Sequence, residues 1–279
     1  MTPDLVSLVI MLRNTRAASM APDQGRAVAA EFLRWVRIIH PELSAALHDK
    51  TDMPKPYTVS NLNGLSLPVR GTVFLPENSE VWFRITSLSP DLSLFMVDKL
   101  LQTLPTEIQV GDAIFKIEEA IWEAKKHPWA GWINYSELIE KELMGEVSRI
   151  IRMEFISPTT FHTRGVHMPY VLPSLALRSW LKTWNAFAPI KFSEALLETA
   201  DSALAVSCYK MRSIAVRYGK ATLVGGVGDC TFNIQEKDLY YLHVIRLLSA
   251  FAFYSGTGAK TALGFGQTRR VDQSYAYRE

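Results

Sequence analysis

Six histidines are the residues of this chain best suited to move protons near neutral pH, because imidazole is the side chain that titrates there without help. None belongs to an HxH, HxxxH or HExxH set, and His162 and His167, in HTRGVH, read as loop residues, so no metal site is expected. His48 stands where the first helical region ends, beside Asp49; the negative end of a helix and the carboxylate both favour a protonated ring. His40, directly before Pro41, lies in the same helix-to-strand region and competes with it. The chemistry on offer is general acid or base work, and the plain alternative is a solvated histidine at a helix end.

The second set is SGTGAKTALGFG, residues 255–266, where Gly256, Gly258, Gly264 and Gly266 surround Lys260 and Thr261. A Walker loop needs GxxxxGK[ST] between a strand and a helix; here Ala259 precedes Lys260, Tyr254 holds the first glycine position, and the helical pattern comes before the run. The dinucleotide pattern GxGxxG starts at Gly256 and Gly258 but meets Thr261, with no strand leading in. Two readings remain. The run is a tight connection built on glycines at positive φ, or it is a loop that lets a chain of phosphates, such as single-stranded RNA, approach its backbone, Lys260 and Thr261.

These residues must be positioned by a sizeable core, which 279 residues at 48% hydrophobic content can supply. A net charge of +2 neither demands nor excludes nucleic acid, and Cys208 and Cys230, far apart and outside any CxxC, indicate neither zinc nor a disulfide framework. The opening MTPDLVSLVIMLR reads as a first strand rather than a targeting segment, and LYYLHVIRLLSAFAFY, interrupted by His243 and Arg246, as a buried helix rather than a membrane span. A cytoplasmic protein with no membrane partner is the expectation.

From Leu5 the patterns run strand, helix (Val28, Phe32, Trp35, Val36 and Ile39 at helical spacing), strand from KPYTVS, strand VWFRITSL, helix SPDLSLFMVDKLLQTL and strand region EIQVGDAIFKIEEAIW. That βαββαβ order is the ferredoxin-like, RRM-like unit, two helices on one sheet face with the other face free. The order repeats from VSRIIRMEF onward with SEALLETADSAL helical. The fold class expected is therefore α+β, two tandem ferredoxin-like domains: residues 1–126, a linker at 127–146, and 147–279. Trp129, Trp132, Trp180 and Trp184 are read as core.

In this frame GTGAKTALGFG resembles the C-terminal glycine-rich loop of the CRISPR-associated endoribonucleases of the RAMP superfamily, which cut precursor CRISPR RNA within each repeat. LHDKTDMPKPYTVSNL, WFRITSL, EFISPTTFHTRG, LPSLALRSWLKTWNAFAP and LVGGVGDCTFNI are similar to that family's other motifs in the same order, so the resemblance covers nearly the whole chain.

The resemblance implies a metal-independent nuclease, without cofactor, that leaves a 2′,3′-cyclic phosphate. Such cleavage needs the ribose 2′-OH deprotonated, the phosphorane charge stabilised and the 5′-oxygen protonated. It favours His48 as acid/base over His40, with Lys55 stabilising charge and Tyr57 hydrogen-bonding or stacking. It makes Gly256, Gly258, Lys260, Thr261, Gly264 and Gly266, with Arg149 and Arg152, the RNA-binding set. The implied partners are CRISPR repeat RNA, an effector complex and a second copy of the chain. A non-catalytic repeat-RNA-binding subunit of the same fold is the alternative, while a generic RRM lacks support because no KGFGFV-like strand is present.

Overall fold

The computed structural model describes residues 2–49, 53–145, 148–219 and 221–271. They form two compact units, Met1–Asn134 with Ala262–Gly264, and Tyr135–Thr261 with Phe265–Glu279.

In the first unit β1 (Leu5–Asn14) leads through the short β2 (Ala18–Met20) to α1 (Gly25–Ile39) and α2 (Pro41–Asp49). Then follow β3 (Tyr57–Val59), β4 (Val73–Leu75) and β5 (Glu80–Ser87). A helix starts as α3 (Pro90–Leu94), passes through one π segment (Phe95–Leu100) and ends as α4 (Leu101–Thr103). The hairpin β6 (Glu107–Val110) and β7 (Ala113–Ile121) and the strand β8 (Gly131–Ile133) complete it. The main sheet is antiparallel in the order β3-β5-β1-β7-β6, the ferredoxin-like arrangement with β6 added at one edge. Strand alternation drives Val6, Leu8, Ile10 and Leu12 of β1 and Val81, Phe83 and Ile85 of β5 into one core with Val28, Phe32, Trp35 and Val36 of α1.

The other face of this sheet is not free. The segment after β7 lies across it: Trp129 takes the Arg84 guanidinium 5.2 Å from its ring centre, His127 packs edge-on to Trp82 at 4.7 Å, and β8 pairs with β1. Arg84 donates to Ser7 Oγ at 2.6 Å, and Ser7 Oγ donates to the Trp129 carbonyl at 2.5 Å. Residues 127–146, expected as a linker, thus hold a strand of the first unit and a helix of the second, α5 (Tyr135–Met144). The reason is packing, since Trp129, Tyr135 and Leu138 are all buried. Trp132 departs from the expected core role; it is 45% exposed and stacks on Trp122.

The second unit continues with β9 (Ile150–Thr159), the small hairpin β10 (Phe161–Thr163) and β11 (Val166–Met168), and α6 (Pro173–Phe187). After α7 (Ala200–Ala203) come the long hairpin β12 (Leu204–Tyr218) and β13 (Ala221–Ile234), α8 (Leu239–Ser255) and β14 (Thr268–Arg270). The sheet order β12-β13-β9-β14 repeats the ferredoxin-like topology. Trp180 and Trp184 of α6 are fully buried, with Trp184 edge-on to Phe251 of α8 at 5.1 Å. The continuous helix expected over SEALLETADSAL is broken into a 3-10 turn at Glu194–Leu197 and the four-residue α7. Local bonds close each turn on itself: Ser193 Oγ accepts from the Ala195 amide, and the Thr199 carbonyl accepts from Ser202 and Ala203.

Candidate functional site

The first group of residues gathers around α2. His40 ends α1 by donating its amide to the Val36 carbonyl at 2.8 Å, and Pro41, which has no amide to give, starts α2 at its first helical position. The imidazole then faces the new helix start: Nδ1 accepts from the Leu43 amide at 3.4 Å, and the ring sits edge-on to Phe95 at 6.3 Å. With Nδ1 held as an acceptor, the neutral ring carries its proton on Nε2. His40 is half-buried, held by backbone on one nitrogen and able to donate from the other.

His48 occupies the last turn of α2, but its side chain lies outside the described residues. Eight residues of chain along α2 separate the two backbone positions by about 12 Å at 1.5 Å per residue. Lys55 belongs to the His48 end: its Nζ donates to the Leu47 carbonyl at 2.8 Å, a cation on the negative end of the helix.

Tyr57 does not face a site. It is 5% exposed, its ring lies edge-on to Phe32 at 5.3 Å, and burial pushes its hydroxyl up to about 12. The alternation of β3 turns Tyr57 toward α1, which makes it a core residue and not a partner for the reacting ribose.

The glycine run is tied by main-chain hydrogen bonds into the second unit. Gly256 ends α8 by donating to Ala252 at 2.9 Å. The Thr257 amide donates to the Gly266 carbonyl at 2.8 Å, Gly258 to Ser179 Oγ at 2.7 Å, and Ala259 to the Thr160 carbonyl at 2.7 Å. On the return side, Gly266 donates to Pro158 at 3.1 Å and Gln267 to Ser157 Oγ at 2.8 Å. A side chain at Gly258 would put its Cβ 2.4 Å from the Thr160 oxygen, and one at Gly266 would come 2.1 Å from the Thr257 oxygen, both at positive φ. The glycines therefore let the loop pack against the end of β9. The amides that were expected to meet phosphate at Gly256, Gly258 and Gly266 are already engaged inside the protein. Gly264 belongs with residues 262–264 in the first unit, where its backbone touches Gly25 and bridges to Ser60.

What the loop presents outward is Lys260, exposed, at φ 65°, with its ammonium 5.0 Å from the centre of the Tyr218 ring. Thr261 begins a 3-10 turn beside it. Arg149 and Arg152 are not brought to this loop. The loop binds β9 at residues 157–160, whereas Arg149 precedes the start of that strand, about 30 Å of extended chain away, and Arg152 about 20 Å. Arg149 instead donates to the carbonyls of Ile234 and Glu236, and Arg152 lies half-exposed opposite Thr231.

Sequence reasoning passed over His162 and His167. They form a direct cross-strand pair in the β10–β11 hairpin, ring centres 5.0 Å apart, turned by Arg164 and Gly165, both at positive φ. The signal was present in HTRGVH, where an X-Gly dipeptide between two short strands marks a two-residue hairpin loop. Burial, His162 and Lys260, in that order, hold the His167 imidazole below its ordinary value.

Comparison with known proteins agrees in both units. The family described as CRISPR Cas6 N-terminal domain matches residues 5–140, and the family described as CRISPR-associated endoribonuclease Cas6 matches residues 153–268. A CRISPR-associated endoribonuclease Cas6 of Mycobacterium tuberculosis (strain CDC 1551 / Oshkosh) is 26% identical over 123 residues, which is 44% of this chain and 39% of that protein. The aligned part thus spans well under half of the curated relative. Among solved structures, a product complex of a Thermus thermophilus Cas6 is similar at 25% identity and a TM-score of 0.79, covering 96% of this chain and 100% of that one. A second Cas6 product complex is 26% identical with a TM-score of 0.76, covering 96% and 99%.

Proposed function

Because this chain belongs to the CRISPR-associated endoribonuclease Cas6 family, we propose that it cuts precursor CRISPR RNA within the repeats without a metal ion. The ribose 2′-oxygen attacks the adjacent phosphorus, its proton leaves to a base, the bond to the 5′-oxygen breaks, and that oxygen takes a proton from an acid. The products are a 2′,3′-cyclic phosphate and a 5′-hydroxyl. The attacking oxygen belongs to the substrate, so orientation and proton transfer are what the protein must supply.

The observation that carries the chemical part is the His40 imidazole, oriented through Nδ1 by a helix-start amide with Nε2 left to exchange a proton. We assign it the leaving-group proton. This ranks His40 above His48, reversing the order that the resemblance suggested. A second reading retains His48, favoured by the Lys55 ammonium that bonds the neighbouring Leu47 carbonyl and so stands at that end of α2. Lys260 is the phosphate contact in the second unit.

The test is cleavage of the cognate repeat RNA in EDTA. The wild type is expected to cut, and His40→Ala to slow single-turnover cleavage by about 10²- to 10⁴-fold, the usual worth of a positioned acid, with RNA binding retained. Loss on His48→Ala with His40→Ala active would move the site to the far end of α2. RNA binding without cleavage by the wild type would assign the non-catalytic role instead.

A further inference from the structure

The two histidines of the β10–β11 hairpin are used by nothing described above. His162 is exposed and His167 half-buried, their rings 5.0 Å apart. His167 Nδ1 is buried with no hydrogen-bond partner, so Nε2 is the nitrogen available for one. Lys260 reaches the same place from the glycine loop, whose Ala259 amide bonds Thr160 at the hairpin base, and its ammonium is steadied over Tyr218 of β12.

Arg164 in the hairpin turn adds a further cation. Among the described residues neither Lys260 nor Arg164 is in an ion pair. The charges acting on His167 are His162 and the Lys260 ammonium, with Arg164 in the turn between the two histidines and the Tyr218 ring under Lys260. Among the described residues no carboxylate forms a salt bridge with His162, His167, Lys260 or Arg164. Two imidazoles alone would be a poor metal clamp: no group of three His, Cys, Asp or Glu that could hold an ion exists among the described residues, and Lys260 repels one. The same charges suit an anion.

We propose that His162, His167 and Lys260 form a binding site for a phosphate group, taken either from an RNA phosphodiester or from free phosphate. In the RNA case the site rests on the nuclease reading above. Each imidazole offers an N–H and the ammonium up to three, enough to ligate a tetrahedral oxyanion. A bound anion also favours the imidazolium forms, so binding tightens as pH falls through the histidine range. Burial lowers the His167 imidazole most, with His162 and Lys260 adding to it, and an anion beside the rings would oppose that shift.

The experiment is long-range ¹H–¹⁵N NMR of the histidine rings in the full wild-type chain from pH 5.5 to 8. It is titrated with inorganic phosphate and, separately, with repeat RNA carrying a 2′-deoxy nucleotide at the scissile position. Either ligand is expected to raise the apparent pKa of both His162 and His167 by about one pH unit, each shift worth up to about tenfold and the pair up to about a hundredfold in affinity across the histidine range. That gain should vanish in His162→Gln/His167→Gln. Movement with RNA, with or without phosphate, supports the site with a phosphodiester as occupant. Movement with phosphate alone supports it with free phosphate, and leaves the nuclease reading to the cleavage assay. If the 2′-deoxy RNA is bound and unmodified repeat RNA is cut in the cleavage assay, while neither ring responds to either ligand, the proposal is overturned and the nuclease reading stands.

Discussion

At the scale of single residues, two side chains that look alike as candidates differ in what surrounds them. His40 has one nitrogen spoken for by the Leu43 amide, whereas Tyr57 lies against Phe32 with its hydroxyl pushed up to about 12 by burial. An ordinary tyrosine ionises near 10, and the folded core accepts only the neutral phenol. Because the folded value is the higher one, the stabilising contribution is complete below pH 10 and is lost as pH rises through about 12. Cys230, also buried and pushed up from 9 to about 12, adds loss over an overlapping window. Thermal unfolding followed from pH 8 to 11.5 should show the melting temperature falling above pH 9 to 10. Tyr57→Phe should fall less steeply while cutting RNA at the wild-type rate near neutrality. A Tyr57→Phe protein that is inactive at pH 7 but folded would return this residue to the site.

Elements decide whether the glycine loop touches ligand through its backbone or through what it holds out. Its amides run to Ala252, Gly266, Ser179, Thr160, Pro158 and Ser157, a set that joins the end of α8 to α6 and the end of β9. Gly258→Ala forces a Cβ to 2.4 Å from the Thr160 oxygen at φ 87°. It should destabilise the second unit by about 2 kcal/mol, read as a lower denaturant midpoint. Gly71, also at positive φ but with nothing within 4 Å, should tolerate alanine better, losing only the strain. The sequence made the run conspicuous and put it after a helix, both of which hold. Its long-range hydrogen bonds were not legible, because their acceptors lie about 80 to 110 residues away, on α6 and at the end of β9. Regular elements such as α1, β5 and α8 could be read from apolar spacing alone. The strap over β5 could not: HPWAGWINY has no period, and its place is fixed by Arg84 on Trp129 and by β8 on β1. The same limit hid His162 and His167, three-residue strands being too short to show alternation.

For the whole molecule, a net charge of +2 gives only a weak overall pull on a polyanion, so the placement of individual cations matters more than their sum. Many of the second unit's arginines are committed elsewhere. Arg246 and Arg270 surround the buried Glu142, Arg269 pairs with Glu154 at 2.5 Å, and Arg149 is bonded to the Ile234 and Glu236 carbonyls. Lys260 sits on an aromatic face instead, its charge still available to an incoming phosphate. If it makes one phosphate contact, the logarithm of the RNA association constant should fall linearly with the logarithm of salt concentration. Lys260→Ala should then reduce that slope by about 0.7, the counterion release of one single-strand contact, while weakening cognate and scrambled RNA alike. Arg149→Ala should leave the slope unchanged and lower stability, since what it loses are two bonds to main-chain oxygens. Fluorescence anisotropy from 50 to 300 mM salt measures both slopes, and an altered slope in Arg149→Ala with an unaltered one in Lys260→Ala would place the RNA path at the start of β9 instead of at the glycine loop.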